Sequence, residues 1–312
     1  MRALQLIKRF ATNPQIRFGY ITKFGCYDRL PDDVFLKKQY RVLCWKEPDL
    51  FHPKSFNEKI QYLKLHDRNP AYTNMVDKYA VKEYVEQKTD RVKVFPALGV
   101  WDEFDEIPFE RLPEQFVLKC THDSGSIIIC REKSRLDKKK AKKRLQRALK
   151  RNYYYSGREW TYKNVKPRIM AEAYYSDESG TELKDYKVFV FQGKPRLIEL
   201  DYNRFGEGGH HRNLYTPDWE LMDVEIQYPS DKRRKFEKPS FLEEMLETAA
   251  ELSDGIPFVR VDFYAIGDDL YFGEFTFYPD GGTGEFRPAS FGIQMGEWIE
   301  IDKIYDATGK KE

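Results

Sequence analysis

Apolar residues recur at helical spacing in the first part of the chain. Between residues 1 and 70 such segments alternate with proline-containing turns, which predicts several short helices. A basic amphipathic helix at the N-terminus would have one apolar face, formed by Leu4, Ile7, Phe10 and Ala11. We expect this face to pack on the body of the protein, with contact to a membrane surface as the alternative. Residues 74–87 and 241–252 predict two further helices.

Shorter β-prone runs follow, and most of them come in pairs. The runs that predict strands are residues 92–101, 116–120, 127–129, 169–174, 185–191, 196–201, 258–264 and 270–278. Three pairs are separated only by short turn segments, at 121–126, 192–195 and 265–269, so each pair predicts a β-hairpin. Together these elements predict an α+β fold with antiparallel sheets and a helical N-terminal region.

The composition is that of a folded protein with a heavily charged surface. The 312 residues are 33% charged, 41% hydrophobic and 15% aromatic, with a mean hydropathy of −0.72. No apolar run is long enough to cross a bilayer, and the N-terminus lacks the features of a secretion signal. The four cysteines form no CxxC pair. These features predict a cytoplasmic protein with reduced cysteines, and they leave association with the inner face of the membrane open.

A net charge of +2 conceals a strongly basic segment at residues 131–151. Such a segment can mark an acidic partner, such as a nucleic acid, an anionic lipid or an acidic polymer. It can also be a solvated helix whose apolar stripe faces the core, formed here by Leu136, Ala141, Leu145, Ala148 and Leu149. We favour the solvated helix, and we expect no nucleic-acid partner.

The last predicted hairpin places four polar side chains on one face. If its turn is centred on residue 268, Asp262 lies opposite Glu274 and Arg260 lies opposite Thr276, with Cβ atoms about 5 Å apart. Because side chains alternate along a strand, these four residues share a face. The opposite face is apolar and carries Val261, Phe263, Phe275 and Phe277. A turn centred half a residue earlier would weaken the pairing.

Two carboxylates this close repel each other unless a cation or a proton lies between them. Magnesium prefers carboxylate oxygens and takes further ligands from nucleotide phosphates and water. The hairpin therefore indicates a magnesium site at Asp262 and Glu274. A surface hairpin with solvated carboxylates is equally compatible with the pattern.

A lysine and a small-residue loop follow the strand predicted at residues 116–120. Lys119 supplies a point charge, and backbone N–H groups of the loop can approach phosphate oxygens, in particular at Ser124, Gly125 and Ser126. The Walker pattern GxxxxGK[ST] is absent, and no GxGxxG opens a helix after a strand. By itself the loop could be an ordinary turn, so it indicates a triphosphate site only together with the other segments.

In chain order, these segments resemble the ATP-grasp fold, and more closely its branch linked to teichuronopeptide and surface-polysaccharide biosynthesis. The resemblance covers roughly residues 30–301 and rests on the motifs SFNEKIQ (55–61), DKY (77–79), FVLK (116–119), HDSG (122–125), DYK (185–187), VRVD (259–262) and YFGEFTF (271–277). It implies a nucleotide bound between two antiparallel sheets. The implied division is a helical N-terminal region at 1–75, a subdomain with the glycine-containing loop at 76–168, a metal-binding subdomain at 169–303 and a tail at 304–312.

The resemblance implies nucleotide contacts for several residues. Two lysines would hold the ATP phosphates, namely Lys78 and Lys119. The loop closing over the triphosphate would contain Ser124, Gly125 and Ser126. Adenine and ribose would be bound near Glu172, Asp185 and Lys187. The cofactors implied are ATP and Mg²⁺.

The resemblance also assigns the metal and the reacting groups to the last hairpin. Asp262 and Glu274 correspond to the magnesium ligands, in agreement with the hairpin register. Arg260 corresponds to the arginine that steadies an acyl phosphate, and Lys119 is assigned to catalysis as well. Many ATP-grasp ligases carry asparagine two residues after the metal-binding glutamate, whereas this chain has Thr276. A threonine hydroxyl can bind Mg²⁺, but less well than an amide oxygen.

The activity implied by the resemblance is that of an ADP-forming ligase that joins a carboxylate to an amine through an acyl phosphate. The expected substrate is an acidic saccharide, such as a uronic acid, or an amino-acid carboxylate of a surface or capsular polysaccharide. Peripheral contact with membrane-bound polysaccharide machinery would fit that role. Such ligases form no covalent bond to the protein, so we expect no Ser-His-Asp or Cys-His arrangement.

We expect the substrate site in a polar cluster at residues 201–212. Arg204 or Arg212 could hold a carboxylate with two hydrogen bonds, and His210 or His211 could accept the amine proton. Arg287 is expected to line the same cavity. A surface loop with incidental histidines is the alternative for the cluster.

Three other functions are compatible with parts of the pattern. A sugar kinase on the same scaffold would share every nucleotide-binding residue. A glycosyltransferase of polysaccharide biosynthesis would use the carboxylates and a metal, although no convincing DxD-type segment is present and the lysines suit a triphosphate better. A non-catalytic protein that binds an acidic polymer or nucleic acid would be indifferent to loss of the two carboxylates.

Overall fold

The described N-terminal part of the structure is helical. The computed structural model describes residues 9–175, 185–203, 209–267 and 269–304. The first helices are α1 (Pro14–Lys23), α2 (Asp32–Cys44) and α3 (Phe56–His66). The side chain of Asn13 caps α1, and Ser55 forms a capping box with Glu58 at the start of α3. The expected short helices are confirmed within the described residues, whereas Leu4 and Ile7 lie outside them.

The helix expected around Lys78 is interrupted, so that prediction is wrong at its centre. Two helices replace it, α4 (Tyr72–Val76) and α5 (Ala80–Lys88). Between them the Asp77 side chain accepts hydrogen bonds from the backbone N–H groups two and three residues later, at 2.8 and 3.2 Å. Local bonds of this kind compete with helix formation. The break lets the backbone N–H of Lys78 donate to the carbonyl of Thr121 at 3.1 Å.

The smaller of the two main sheets has four antiparallel strands in the order β2-β5-β3-β4. After β1 (Lys93–Val94), its strands are β2 (Ala97–Trp101), β3 (Phe116–Cys120), β4 (Ile127–Cys130) and β5 (Ile169–Ala173). The hairpin expected around residues 121–126 is confirmed as β3 and β4. The basic segment forms α6 (Lys138–Leu149), whose apolar stripe is buried at Ala141 and Leu145.

The larger sheet has six strands in the order β1-β11-β10-β6-β7-β8. Its further strands are β6 (Asp185–Phe191), β7 (Lys194–Tyr202), β8 (His211–Tyr215), β10 (Phe258–Ile266) and β11 (Asp269–Thr276). Strand β1 pairs with β11 in parallel, and the other pairs are antiparallel. Two short strands, β9 (Glu225–Ile226) and β12 (Phe286–Arg287), pair separately. The other two expected hairpins are therefore confirmed.

The remaining elements cover the sheets. The helices are α7 (Tyr154–Gly157), α8 (Leu242–Leu252) and α9 (Ala289–Glu297), and 3₁₀ turns lie at Phe104–Glu106, Lys133–Arg135, Trp160–Tyr162, Pro279–Gly282 and Ile301–Lys303. A large hydrophobic core joins the six-stranded sheet to α3, α4, α5, α8 and α9, and a smaller one joins the four-stranded sheet to α6. The fold is α+β, as expected.

Two further expectations concern domain boundaries and compartment. Strand β5 begins in the segment proposed as the metal-binding subdomain, yet it pairs with β2 and β3 of the preceding segment. All four cysteines are free thiols. Within the described ranges, no helix combines the length and the apolar character that crossing a bilayer requires.

Candidate active site

The last hairpin pairs its polar residues as expected, although its turn is centred half a residue earlier than assumed, with Ile266 opposite Asp269. Between β10 and β11, Asp262 lies opposite Glu274 and Arg260 lies opposite Thr276. Directly after Asp262 the register shifts by one residue at a β-bulge. Gly273 lies in this bulge, where an added Cβ atom would lie 2.9 Å from the carbonyl oxygen of Asp262. Glycine at 273 therefore preserves the pairing that brings the two carboxylates together.

Arg260 joins two of the other polar residues of the hairpin. Its Nε and one terminal nitrogen donate to the two carboxylate oxygens of Asp262, each at 2.7 Å, and the same terminal nitrogen donates to Thr276 Oγ1 at 3.1 Å. Arg260 and Asp262 are buried. Glu274 is exposed and has Lys78 and Arg260 as positively charged neighbours. Asp262 is thus the anchored carboxylate of the pair, and Glu274 is the open one.

Charged side chains continue from this hairpin across the larger sheet. A first row of directly opposed positions on four adjacent strands consists of Glu274, Asp262, Lys187 and Glu199. A second row, two residues along the strands, consists of Asp185, Asp201 and Arg212. Residues two apart on a strand share a face, so both rows belong to the same face of the sheet.

The two cations of these rows tie the carboxylates together. Lys187 pairs with Asp185 and, at 3.2 Å, with Asp201. Arg212 pairs with Asp201 at 2.8 Å and with Glu199 at 2.9 Å. All five side chains are buried. The rows form one network in which each cation is shared between two carboxylates.

Burial shifts the ionisation of this network. It raises the pKa of Asp262 to about 7, although Arg260 and Lys187 oppose the shift. Burial also raises the pKa of Glu199 to about 7, against the opposing effect of Arg212 and Arg260. An additional cation would favour the ionised form of both carboxylates, and an additional anion would oppose it. The network therefore suits a positively charged ligand.

Three lysines lie at the helix break, on α5 and on the smaller sheet, namely Lys78, Lys82 and Lys119. Lys82 and Lys119 both pair with the carboxylate of Glu172, the former at 2.6 Å. Lys78 donates to the carbonyl of Asp123 in the loop. Burial by itself raises the pKa of Glu172, but Lys119 and Lys82 bring it below its ordinary value. Burial lowers the pKa of Lys78 and Lys82, so a phosphate nearby would favour their ammonium forms.

The loop at residues 121–126 packs against the basic helix. Arg144 of α6 donates to the carbonyl of Gly125 at 2.6 Å. Gly125 has a φ of 98°, a conformation that favours glycine. Ser124 and Gly125 line a cavity, whereas Ser126 is buried and donates its hydroxyl to the Asp123 side chain. Two of the three expected loop residues thus face the cavity, and Ser126 stabilises the loop from within.

The cavity has a volume of about 980 Å³ and is lined by both sheets. We call the side formed by the helix break, α5 and the smaller sheet the lysine wall; its charged lining residues are Lys78, Lys82, Lys119, Arg131 and Glu172. We call the side formed by the larger sheet and the turn after β11 the carboxylate wall; its charged lining residues are Asp185, Asp201, Asp262, Glu274, Asp280, Lys187, Arg212 and Arg260. The lysine wall carries four cations and one carboxylate, and the carboxylate wall carries five carboxylates and three cations.

Aromatic side chains line the same cavity beside Glu172. Phe95 lies with its ring centroid 5.1 Å from that of Tyr175 and 5.8 Å from that of Tyr264. Arg131 lies over the ring of Tyr174, with a separation of 5.7 Å. Flat aromatic surfaces next to a set of cations are suited to a nucleobase attached to phosphates.

Of the described residues expected to bind the substrate at 201–212, some line the cavity and others do not. Arg212 and His210 line the cavity, and His210 Nε2 lies 3.1 Å from Asp201 Oδ1. His211 is not among the lining residues and stacks on the ring of Tyr202. Arg204 lies outside the described residues.

Arg287 lies away from the cavity, contrary to expectation. It belongs to β12, where it is paired with Glu225 of β9, and its guanidinium bonds to Glu225 at 3.1 Å and to Glu285 at 2.9 Å. The local strand pairing therefore holds Arg287 at the surface. The charged lining residues that were not predicted from the sequence as site residues include Lys82, Arg131, Glu159 and Asp280.

The donor set can be tested for its fit to magnesium. Among the described residues, no group of three or more His, Cys, Asp and Glu side chains is placed to bind a metal ion. Asp262 and Glu274 are nevertheless opposed carboxylates, and the Thr276 hydroxyl lies beside them. Magnesium needs more oxygen ligands than two carboxylates supply, and nucleotide phosphates and water can provide the rest. The two carboxylates therefore fit magnesium that is bound as a nucleotide complex.

The family model described as TupA-like ATP-grasp matches residues 58–300. The matched range contains both rows of the carboxylate wall, the three lysines and the loop. None of the curated protein sequences matches the chain.

Several solved structures resemble the chain. D-alanine–D-alanine ligase from Bacillus anthracis, complexed with ATP, is 14% identical, with 65% of this chain and 54% of the ligase covered and a TM-score of 0.37. D-alanine–D-alanine ligase from Helicobacter pylori is 15% identical, with coverages of 79% and 70% and a TM-score of 0.40. A RimK domain ATP-grasp protein from Sphaerobacter thermophilus is 11% identical, with coverages of 73% and 69% and a TM-score of 0.41. The chain spans about half the length of the first of these ligases.

Proposed function

The chain belongs to the TupA-like ATP-grasp family, and on that premise we propose that it is an ADP-forming ligase that uses Mg·ATP to join a carboxylate to an amine. The observation that carries the proposal is the pair of walls with opposite charge around one cavity. A triphosphate needs cations, and its magnesium needs carboxylate oxygens. The lysine wall offers the cations, and the carboxylate wall offers the carboxylate oxygens.

On the lysine wall, Lys78 and Lys119 would hold the phosphates, with Ser124 and Gly125 covering them. Lys82 would share this role because it pairs with the same carboxylate as Lys119. The nucleoside would be bound near Glu172, Asp185, Lys187 and the aromatic cluster around Phe95.

On the carboxylate wall, Asp262 and Glu274 would hold magnesium, with Thr276 as the weakest ligand. When bound, magnesium would neutralise phosphate oxygens while the phosphoryl group is transferred. Arg260 is fixed by Asp262 and Thr276, so its guanidinium would meet the acyl phosphate without rearrangement. Arg212 already pairs with Glu199 and Asp201, and we assign it to holding this wall in shape.

The proposed reaction has two steps. An oxygen of the substrate carboxylate bonds to the γ-phosphorus, the bond to the bridging oxygen breaks, and ADP leaves. The amine nitrogen then bonds to the acyl carbon, the C–O bond to phosphate breaks, and inorganic phosphate leaves while the nitrogen loses a proton. His210, 3.1 Å from Asp201, is our candidate for accepting that proton. Arg204 stays a candidate for holding the substrate carboxylate.

We also propose the substrate class. The match to the TupA-like family supports a uronic acid or amino-acid carboxylate of a surface polysaccharide, and a reaction at the cytoplasmic side of membrane-bound machinery. The substrate would enter at the carboxylate wall, beyond the triphosphate.

The test is ADP release by the full chain against a panel of uronic acids, each offered with a panel of amino acids, with the product mass determined. The proposal predicts ADP release that requires both a carboxylate and an amine, and a product lighter than the sum of the two by one water. ADP release with hydroxyl acceptors alone would indicate a kinase instead. Stabilisation by UDP-sugars but not by Mg·ATP in a thermal-shift titration would indicate a glycosyltransferase.

A further inference from the structure

One face of α3 is bonded to the turn that follows β11. Asn57, Gln61 and Lys64 are spaced four and three residues apart, so their side chains share a face of the helix. Asn57 Nδ2 donates to the carbonyl of Gly284 at 2.8 Å, and Gln61 Nε2 to that of Gly282 at 2.7 Å. Gln61 and Lys64 both donate to the carbonyl of Gly281, at 3.0 and 2.8 Å. Part of the SFNEKIQ motif thus forms a clamp on residues 281–284.

The clamped turn has an unusual backbone. Asp280, Gly281 and Gly282 have φ values of 49°, 62° and 67°, so three consecutive residues are left-handed. Residues other than glycine occupy this region at a cost and persist there only when their surroundings fix them. An added Cβ atom at Gly282 would lie 2.5 Å from Gln61 Nε2. The turn and α3 are therefore fitted closely to each other.

Lys64 places a buried positive charge behind the cavity. Lys64 is 1% exposed. Its ammonium lies 5.7 Å from the ring centre of Tyr278 and interacts electrostatically with Glu159. Tyr278, Gly281 and Glu159 all line the cavity. A buried ammonium costs free energy unless its contacts are excellent, and replacement of a whole buried ion pair by apolar groups often leaves stability unchanged. A role other than stability would explain a lysine at this position.

The turn also reaches the charged rows of the carboxylate wall. Asp280 Oδ2 lies 3.5 Å from Arg212, which pairs with Asp201 and Glu199. A change in the turn would therefore shift both a lining segment and the salt-bridge network behind it.

We propose that Gln61 and Lys64 are positioning residues for the acceptor substrate, holding the turn at residues 280–282 in the shape that the substrate meets. This inference rests on the proposed ligase function. It assigns a role in substrate binding to α3.

The chain offers a matched control on the same helix. Lys59 donates to the carbonyl of Ile299 at 2.7 Å, and Ile299 is not among the residues that line the cavity. Lys64→Met and Lys59→Met therefore each remove one lysine and one bond to a backbone carbonyl from α3. Steady-state kinetics would be measured for both variants with the carboxylate and amine pair that wild-type protein converts, and hydrogen exchange of the backbone amides at residues 279–284 would be followed without substrate.

For Lys64→Met we expect KM for the carboxylate or the amine to rise at least fivefold, KM for ATP to stay within twofold, and amide exchange at 279–284 to accelerate. For Lys59→Met we expect the KM values for carboxylate, amine and ATP, and the amide exchange rates at 279–284, to stay within twofold of wild type. Equal effects of the two substitutions, an equal rise in KM for ATP, or unchanged exchange in Lys64→Met would overturn the proposal. If wild-type protein converts no pair, the ligase function fails instead, while the exchange experiment still decides whether Lys64 holds the turn.

Discussion

The lysine wall and the carboxylate wall hold their charges in different ways. The three lysines of the lysine wall come from a helix break, a helix and a strand end, and they bond to a loop carbonyl or to one shared carboxylate, Glu172. The charges of the carboxylate wall come from adjacent strands in register, and most of them are buried in ion pairs. One wall has cations that can exchange partners, and the other has groups fixed by the sheet.

This difference matches the needs of the two parts of Mg·ATP. A phosphate oxygen can replace a carbonyl or carboxylate oxygen as the partner of a lysine with little rearrangement. Transfer of a phosphoryl group needs charges fixed in advance. Substitutions on the lysine wall should therefore change affinity for ATP, and those on the carboxylate wall should change turnover.

The largest effect is expected at Glu274, the open carboxylate of the proposed magnesium pair. Glu274→Gln should lower Mg-dependent ATP turnover by about 100- to 1,000-fold, the cost of removing one preorganised group that stabilises developing charge. Because Glu274 is exposed, the melting temperature should stay close to that of wild type. Asp262→Asn should lower turnover as much, and it should also destabilise the fold by about 3–5 kcal/mol, since buried Arg260 loses both bonds to this carboxylate while its other carboxylate partner, Glu199, lies 3.9 Å away. Turnover and thermal unfolding of both variants check this contrast, and normal turnover in Glu274→Gln would contradict it.

The next effect concerns the lysine wall. Lys119→Met should weaken ATP binding by about 10- to 100-fold, because a charge-assisted hydrogen bond contributes about 1.5–3 kcal/mol. The control is Lys133→Met, since Lys133 donates to the carbonyl of Leu112 at 2.8 Å outside the cavity lining. Calorimetric titration with ATP measures both, and equal affinities in the two variants would remove Lys119 from the site.

A smaller effect is expected at the carboxylate that the lysines share. Glu172→Gln should destabilise the free protein by about 1–3 kcal/mol, because Lys82 and Lys119 lose their partner. Bound ATP should restore part of this loss, so the ATP-induced rise in melting temperature should be larger than in wild type. An equal or smaller rise would mean that phosphate does not replace Glu172.

The stability difference between wild type and Glu172→Gln should depend on pH in a defined direction. The pKa of Glu172 is lowered in the folded protein by Lys119 and Lys82, against the effect of burial. Its carboxylate therefore contributes stability above the ordinary glutamate pKa of about 4.3, and this contribution is lost as the pH falls through the lowered value. The stability difference between wild type and Glu172→Gln should be constant near neutrality and should shrink below about pH 4. Denaturant unfolding at several pH values measures it.

The smallest effect is expected at Thr276, the third of the proposed magnesium ligands. Thr276→Asn should strengthen magnesium binding by about two- to fivefold, since an amide oxygen is the better ligand for a hard cation. Titration of ATP turnover with Mg²⁺ would show a lower half-saturating concentration. Weaker binding would indicate that the hydroxyl is needed to hold Arg260, to which it is bonded at 3.1 Å.

Part of the carboxylate wall could be predicted because side-chain alternation along a strand is a local property, which places Arg260 and Asp262 on one face. Near the turn the strands pair as Ile266–Asp269 and Phe263–Phe272, so counting from the turn alone would place Asp262 opposite Gly273. The bulge restores the expected pairs Asp262–Glu274 and Arg260–Thr276. The bulge at Gly273 could not be predicted in this way, because a one-residue shift leaves no signal in the pattern of alternation.

The lysine wall was harder to predict because it depends on contacts between distant segments. The helical spacing around Lys78 concealed a break that is stabilised by the side chain of Asp77. Lys82 joins the site only because Glu172, ninety residues later in the chain, lies beside it. Asp280 lines the cavity through a left-handed turn that α3 holds, and no local pattern indicates such a clamp.

The central claim is that magnesium is held by the carboxylate wall while the triphosphate is held by the lysine wall. The most direct test is calorimetric titration of ATP, with and without Mg²⁺, into wild-type protein, Glu274→Gln and Lys119→Met. The account predicts that Mg²⁺ tightens ATP binding to wild type, that Glu274→Gln loses this gain while binding metal-free ATP at least as well as wild type, and that Lys119→Met binds ATP more weakly under both conditions. A gain from Mg²⁺ in Glu274→Gln as large as in wild type would contradict the account.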